Sequence, residues 1–297
     1  MSSTTARRAR GARPVVQAVG RSWAALPLAV FLVAFLLIPV VLLALTSFWK
    51  TAFFQTTAEW NVQQYEDVLS DPTVLRTLAR SVVNGVIAAT LATALAVPVA
   101  YFLRFCSGRA RIVALGIVVT ALFSSYLVRI YAWRSLLGRE GAINWALQTL
   151  DVTSEPSLVF FYNRFAVILT LIHIYLPFAI ITLFSAFEGL DRDTLEAART
   201  LGAKLRHRIR LVIVPVIAPG LFASFAFTFI LSAGDYVTPQ LVGGSSGAMI
   251  GQLISIQFLQ NGDYSQGAAL SVVFLAAVAA TLAVVFVLGR LVLRAGR

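Results

Sequence analysis

"LEAARTLGAKLRHRIRLVIVPVIAPG", Leu195 to Gly220, is polar and basic in its first half and then runs without interruption into an apolar segment. A charged, alanine-rich piece of helix length between two apolar stretches fits a membrane chain that shows a surface to a partner. The whole sequence agrees. Of its 297 residues, 59% are hydrophobic and 12% charged, a balance no soluble domain of this length tolerates. The expected class is all-α and polytopic. The net charge of +11 would point to nucleic acid in a soluble protein. Here the basic residues cluster beside apolar runs, where they set orientation, so no nucleic-acid partner is expected. A single cysteine, Cys106, excludes an internal disulfide framework and leaves no thiol partner for structural zinc.

Charges bound the spans, because a hydrocarbon core about 30 Å thick needs roughly 20 apolar helical residues. Six intervals fit: Ser22 to Trp49, Ser81 to Leu103, Ile112 to Val128 (extendable past Arg129 to Leu137), Phe165 to Phe187, Leu211 to Gly234, and Tyr264 to Gly289. The first is too long for a signal-peptide core and has no small-residue cleavage site. Residues 1–21 form an arm expected to be disordered, and residues 22–297 a six-helix membrane body with a loop at 189–210. Arginines at 7–21, 104–111, 192–210 and 290–297 all fall on one side, while the opposite loops are net acidic. The positive-inside rule therefore puts both termini and the opening stretch in the cytoplasm. The stretch "MIGQLISIQFLQ", in the loop between the last two spans, is amphipathic and expected to lie along the membrane surface as a short helix.

Several chemistries are missing. The nearest approach to a nucleotide loop, Gly202-Ala203-Lys204-Leu205, lacks both spacing and hydroxyl. Gly243-Gly244-Ser245-Ser246-Gly247 has the letters of a nucleophile elbow, but His173 and His207 both precede it, so it reads as a flexible loop turn. His173 stands alone in the fourth interval, which disfavours a metal site. No acid lies inside any interval, so proton coupling has no carboxylate to use. Neither a cofactor nor covalent chemistry is expected, and uphill transport would draw its energy from another subunit.

Just before the opening stretch, Asp193 is placed to cap a short helix from Thr194 to about Leu201, with Glu196 reaching back to the cap. Gly202 suits the left-handed residue that ends it. Leu195, Ala198 and Leu201 share a face at three-residue spacing, and such a face can lie in a partner's groove. A loop that is basic only for orientation fits the same residues. The spacing decides: Glu196-Ala197-Ala198, Gly202, Val212, Val214 and Pro215 resemble the E-A-A, G, I-x-L-P signature of the membrane subunits of binding-protein-dependent ABC importers. Val212 and Val214 depart from it only within the aliphatic class. The resemblance implies the type I importer permease fold in an inner membrane. It also implies that Glu196, Ala197, Ala198, Leu201 and Gly202 form the coupling contact with a cytoplasmic ATPase dimer. A second homologous permease and an external solute-binding protein complete the implied assembly.

Further stretches, "SSYLVRIYAW" at 124–133, "GREGAINWAL" at 138–147, "IYLPFAI" at 174–180 and "GDYVTPQLVGG" at 234–244, resemble the spermidine/putrescine branch. The cargo implied is a polyamine, with an opine, thiamine or an amino-acid derivative as the alternatives and a channel or secondary carrier as the competing class. A polycation path suits carboxylates at its mouth and aromatic faces along it. Asp235, Tyr236, Tyr126, Trp133 and Tyr175 are the candidate path residues. Arg129, inside the third interval, needs either Asp235 or the carbonyls of a broken helix as partner.

Overall fold

The computed structural model describes residues 16–52, 54–153, 155, 160 and 162–295. The first fifteen residues of the expected arm lie outside them, and the remainder of that arm belongs to a helix, α1 (Val16–Thr46). A small antiparallel hairpin follows, β1 (Lys50–Ala52) and β2 (Gln55–Thr57), with Lys50 opposite Thr57. Then come α2 (Gln63–Ser70), α3 (Pro72–Phe105), α4 (Gly108–Phe123), α5 (Tyr126–Leu137) and α6 (Ala142–Thr149). The chain continues through α7 (Arg164–Phe187), α8 (Arg192–Thr200), α9 (Leu205–Arg208), α10 (Val214–Ala233), α11 (Ile250–Ile256) and α12 (Tyr264–Ala295).

Among the described residues four helical segments are long and apolar enough to cross a membrane: Pro72–Phe105, Arg164–Phe187, Leu205–Ala233 and Tyr264–Val292. The third expected interval is not one straight helix. After Phe123 the chain breaks at Ser124 and Ser125, and the next helical stretch departs at 95°. If the bent pair is one crossing it makes a fifth; α1 is apolar over Val30–Thr46, a shorter stretch. The second interval also begins earlier than its charges indicated. Pro72 opens α3, and Asp71 caps it by accepting the Thr73 amide at 2.7 Å, so Arg76 and Arg80 lie within the helix.

Helices α3, α7 and α10 pack on one another to form the core of the bundle. On α3 this is possible because Ala88, Ala89, Ala92, Ala96 and Ala100, all fully buried, recur at helical spacing and let neighbouring backbones approach. Polar groups join the apolar contacts: Thr93 and Ser224 hydroxyls meet at 3.2 Å, and Ser232 Oγ donates to the Gly85 carbonyl at 3.4 Å. A Cβ built on Gly85 would stand 2.8 Å from Ala233 Cβ. Gly85→Leu is therefore expected to cost about 3 kcal/mol by overpacking, read as a melting temperature lower by roughly 5 °C in detergent. A wild-type melting curve from that variant would show the α3–α10 contact to be looser than drawn.

At one end of the bundle, α11 occupies the stretch expected to lie along the membrane surface. The helix is there, but its start is packed into the body: Met249 and Ile250 are buried, and the Ile250 amide donates to Ser81 Oγ at 2.7 Å. The Gly/Ser turn is likewise held, with Gly243 and Gly247 buried and Arg80 Nη1 donating to the Ser245 carbonyl at 3.3 Å. The hairpin is fastened to α12 by a 2.7 Å contact between Thr51 and Ser265 hydroxyls.

Candidate functional site

Two places concentrate the residues singled out by sequence, one at each end of α10. At the first, α8 begins two residues earlier than expected, after Asp191 as N-cap, and neither Asp191 nor the expected Asp193/Glu196 box makes a side-chain cap bond. Asp193 instead lies in the first turn, where its charge opposes the positive helix end. The other terminus follows expectation. Gly202 adopts φ +75°, its amide donates to the Arg199 carbonyl, and the Ala203 amide to the Ala198 carbonyl, both at 3.0 Å. This paired closure ends a helix whose next residue is left-handed.

The expected three-residue face divides. Leu195 packs on the cluster of Leu183, Phe187 and Leu190, and Ala198 is half-buried beside it, whereas Leu201 is 86% exposed. Glu196, Ala197 and Gly202 are exposed with Leu201. The offered surface is thus a protruding tip with an apolar side chain at its apex, held by an inward-facing Leu195.

The root of this tip is clamped by two arginines that orientation alone would have explained. Arg104, in the last turn of α3, donates from Nε to the Phe187 carbonyl and from Nη2 to the Leu190 carbonyl, both at 3.1 Å. Arg192, first residue of α8, donates from Nη2 to the Phe105 carbonyl at 2.7 Å. Each satisfies carbonyls that a helix C-terminus leaves without intrahelical donors. The ends of α3, α7 and α8 are therefore joined. Beyond Gly202, α9 passes through a π-helical turn, Ile209–Ile213, into α10, with the Val214 amide reaching back to the Ile209 carbonyl. Pro215, which has no amide proton, follows directly; such turns are favoured where the regular ladder loses a donor.

At the other end of α10, Asp235 is only 6% exposed and gathers donors from three elements. Its Oδ1 accepts from the Tyr126 hydroxyl (2.6 Å) and the Val237 and Thr238 amides (3.0 and 3.1 Å). Its Oδ2 accepts from Tyr126 (2.7 Å), Thr238 Oγ1 (2.8 Å) and Tyr175 (3.2 Å). A carboxylate has about four lone-pair sites, so the chain's own groups occupy it fully. Three of the five candidate path residues, Asp235, Tyr126 and Tyr175, thus meet in one knot. Trp133 stands apart, donating from Nε1 to His173 Nδ1 at 2.9 Å, and Tyr236 points elsewhere, 44% exposed. Thr238 was not foreseen; an acid followed three residues later by a threonine is the local signal for it. Of its two possible partners, Arg129 takes a carbonyl: Nη1 donates to Ile174 at 2.9 Å.

A family model described as "Binding-protein-dependent transport system inner membrane component" matches residues 14–295. The inner membrane ABC transporter permease protein YdcU of Escherichia coli K12 is 36% identical over 230 residues, 73% of this chain and 71% of that protein. The spermidine/putrescine transport system permease protein PotB of the same organism is 35% identical, covering 69% and 74%. The permease protein PotC of the system of that name in Haemophilus influenzae is 26% identical over 72% and 76%. The fold matches that of a bacterial ABC transporter involved in the import of the acidic polysaccharide alginate, with a TM-score of 0.71 over 93% of this chain and 98% of that one at 16% identity.

Proposed function

The chain belongs to the binding-protein-dependent transport system inner membrane components, and from that membership we propose that it forms the translocation path for a polyamine. It is a multi-pass inner-membrane permease subunit of an ABC importer. ATP is hydrolysed by a separate subunit, and a binding protein delivers the cargo. The cargo class is supported by the similarity to PotB, whose name specifies spermidine and putrescine. Two differently named permeases, PotB and PotC, carry the same system name, which supports a second permease beside this one.

The observation that carries the coupling role is the exposed tip Glu196-Ala197…Leu201-Gly202, clamped at its root to the ends of α3 and α7. We place this tip, and both termini, in the cytoplasm, with Leu201 seated in a cleft of the ATPase. Because a carboxylate saturated by Tyr126, Tyr175 and Thr238 has no free lone pair for an ammonium, Asp235 shapes the path, and Trp133 and Tyr236 meet the cargo.

The test is uptake of labelled putrescine and spermidine by cells lacking the chain, restored with wild type, Gly202→Val or Gly202→Asn at equal membrane levels. Wild type and Gly202→Asn are expected to restore uptake, since asparagine tolerates the left-handed conformation. Gly202→Val, strained by about 1–2 kcal/mol there, is expected to fall about tenfold. Nothing lies within 4 Å of a Cβ at Gly202 in the chain itself, so a clash within the permease is not the cause. Undiminished uptake without the chain refutes the polyamine assignment, and full uptake with Gly202→Val refutes the coupling role.

A further inference from the structure

Arg129 is an unfinished site. Its partner carbonyl, Ile174, lies ten residues into α7 from Arg164, about 15 Å along the helix and so near the middle of a core about 30 Å thick. The guanidinium carries five N–H donors; Nη1 uses one on Ile174, while Nε is sealed from solvent with no acceptor. Asp235, the acid of the neighbouring knot, is fully occupied by Tyr126, Tyr175, Thr238 and the Val237 amide. Beside Arg129 opens a groove of about 560 Å³, lined by Val113, Gly116, Ile117 and Thr120 of α4 and by His173 of α7. A Cβ on Gly116 would meet nothing within 4 Å, and Ile117 is 65% exposed.

We propose that this groove receives a membrane-spanning helix of the second permease, which brings a side-chain carboxylate to Arg129. The inference rests on the reading of the chain as one of two permeases in an importer. A charge at mid-depth requires an acceptor, and among the described residues its acceptor is a backbone carbonyl, that of Ile174. A lipid phosphate sits at the interface, about 15 Å away. A polyamine is repelled by the guanidinium. A glycine flanked by exposed aliphatic side chains is the surface on which membrane helices approach closely, and the charge then fixes which helix and at what depth.

The experiment uses the whole importer in its own membrane, with Ile117 replaced by the photo-crosslinking residue p-benzoylphenylalanine. Illumination is expected to join the chain to a second permease, at a span residue within one turn of an Asp or Glu. Arg129→Gln is expected to lower that yield about tenfold and Arg129→Lys much less. Because Gly116 faces open space, Gly116→Phe is expected to leave the isolated chain's melting unchanged while displacing the partner. Attachment to lipid alone, a yield that spermidine competes away, or unaltered yield in Arg129→Gln or assembly in Gly116→Phe each overturns the proposal. Failure of any second permease to copurify with the wild-type chain refutes the importer reading itself, whereas copurification without a crosslink in the groove refutes this inference alone.

Discussion

Asp235→Ala is expected to lower the melting temperature of the detergent-solubilised chain by roughly 5 °C, more than any other single polar substitution in the bundle. The carboxylate receives Tyr126 from α5, Tyr175 from α7 and Thr238 from the loop after α10. Without it the two phenols and the Thr238 hydroxyl, together with the Val237 and Thr238 amides, lose their common acceptor. Each interhelical bond in a membrane bundle is worth about 0.6–1.7 kcal/mol, and each buried donor left unpaired costs about 1–3 kcal/mol. Some donors will find water or one another, so a net loss of about 3 kcal/mol is expected. For a chain of this size that corresponds to the stated shift. Asp235→Asn separates the contributions. Its Oδ1 can still accept the Tyr126 hydroxyl and the two amides, and the Thr238 and Tyr175 hydroxyls can turn to accept from its amide. A drop of roughly 2 °C is expected. Differential scanning fluorimetry of the three proteins checks this, beside uptake kinetics in cells. A pin lowers stability in the order Ala, Asn, wild type. A cargo ligand raises KM for both variants with no change in melting, and that outcome would return Asp235 to the path wall.

The knot also marks how far the sequence could be read. Asp235 was visible as the acid closest to a span, and Tyr126 and Tyr175 as aromatic residues of similar depth. Their union was not, because the partners lie 109 and 60 residues away in the chain and no local periodicity encodes such a contact. Gly202 was legible for a local reason: a helix that ends in a left-handed residue selects glycine. The start of the same helix was misread because Asp191 and Asp193 compete as caps, and the observed N-cap makes no side-chain bond by which to choose. The charge-bounded interval Ser81 to Leu103 falls inside α3, but the helix is longer than its apolar part and takes in Arg76 and Arg80, with Arg80 satisfied by the Ser245 carbonyl. The third interval was legible only in part. Its hydropathy runs on through Ser124 and Ser125, so only the 95° turn of the backbone reveals the break, although Arg129 beyond it had announced that a carbonyl or an acid must be near.

Arg104→Ala with Arg192→Ala is expected to lower the cargo moved per ATP hydrolysed by about tenfold while ATP hydrolysis itself continues. In the proposed coupling role the exposed tip around Leu201 meets the ATPase, yet it touches the bundle through few groups. Leu195 provides apolar contact with Phe187 and its neighbours; Arg104 and Arg192 provide the three hydrogen bonds that cross between α3, α7 and α8. Their charge suits the negative ends of α7 and α3, and the fork of Arg104 holds two carbonyls at once, which lysine cannot do with the same geometry. With these bonds gone the tip still fits its partner, because Glu196, Ala197, Leu201 and Gly202 are unaltered, but it tilts on its root and no longer draws the helix ends with it. Each single variant is expected to show about a threefold loss, and Arg104→Lys a partial one. The measurement is transport per ATP by the complete importer in proteoliposomes, beside the amount of ATPase that copurifies. An unchanged ratio places transmission elsewhere, in the continuous path from α9 through the π-helical turn into α10. A copurifying ATPase lost along with transport assigns the two arginines to docking instead, since a rigid root would then be needed to present the tip at all.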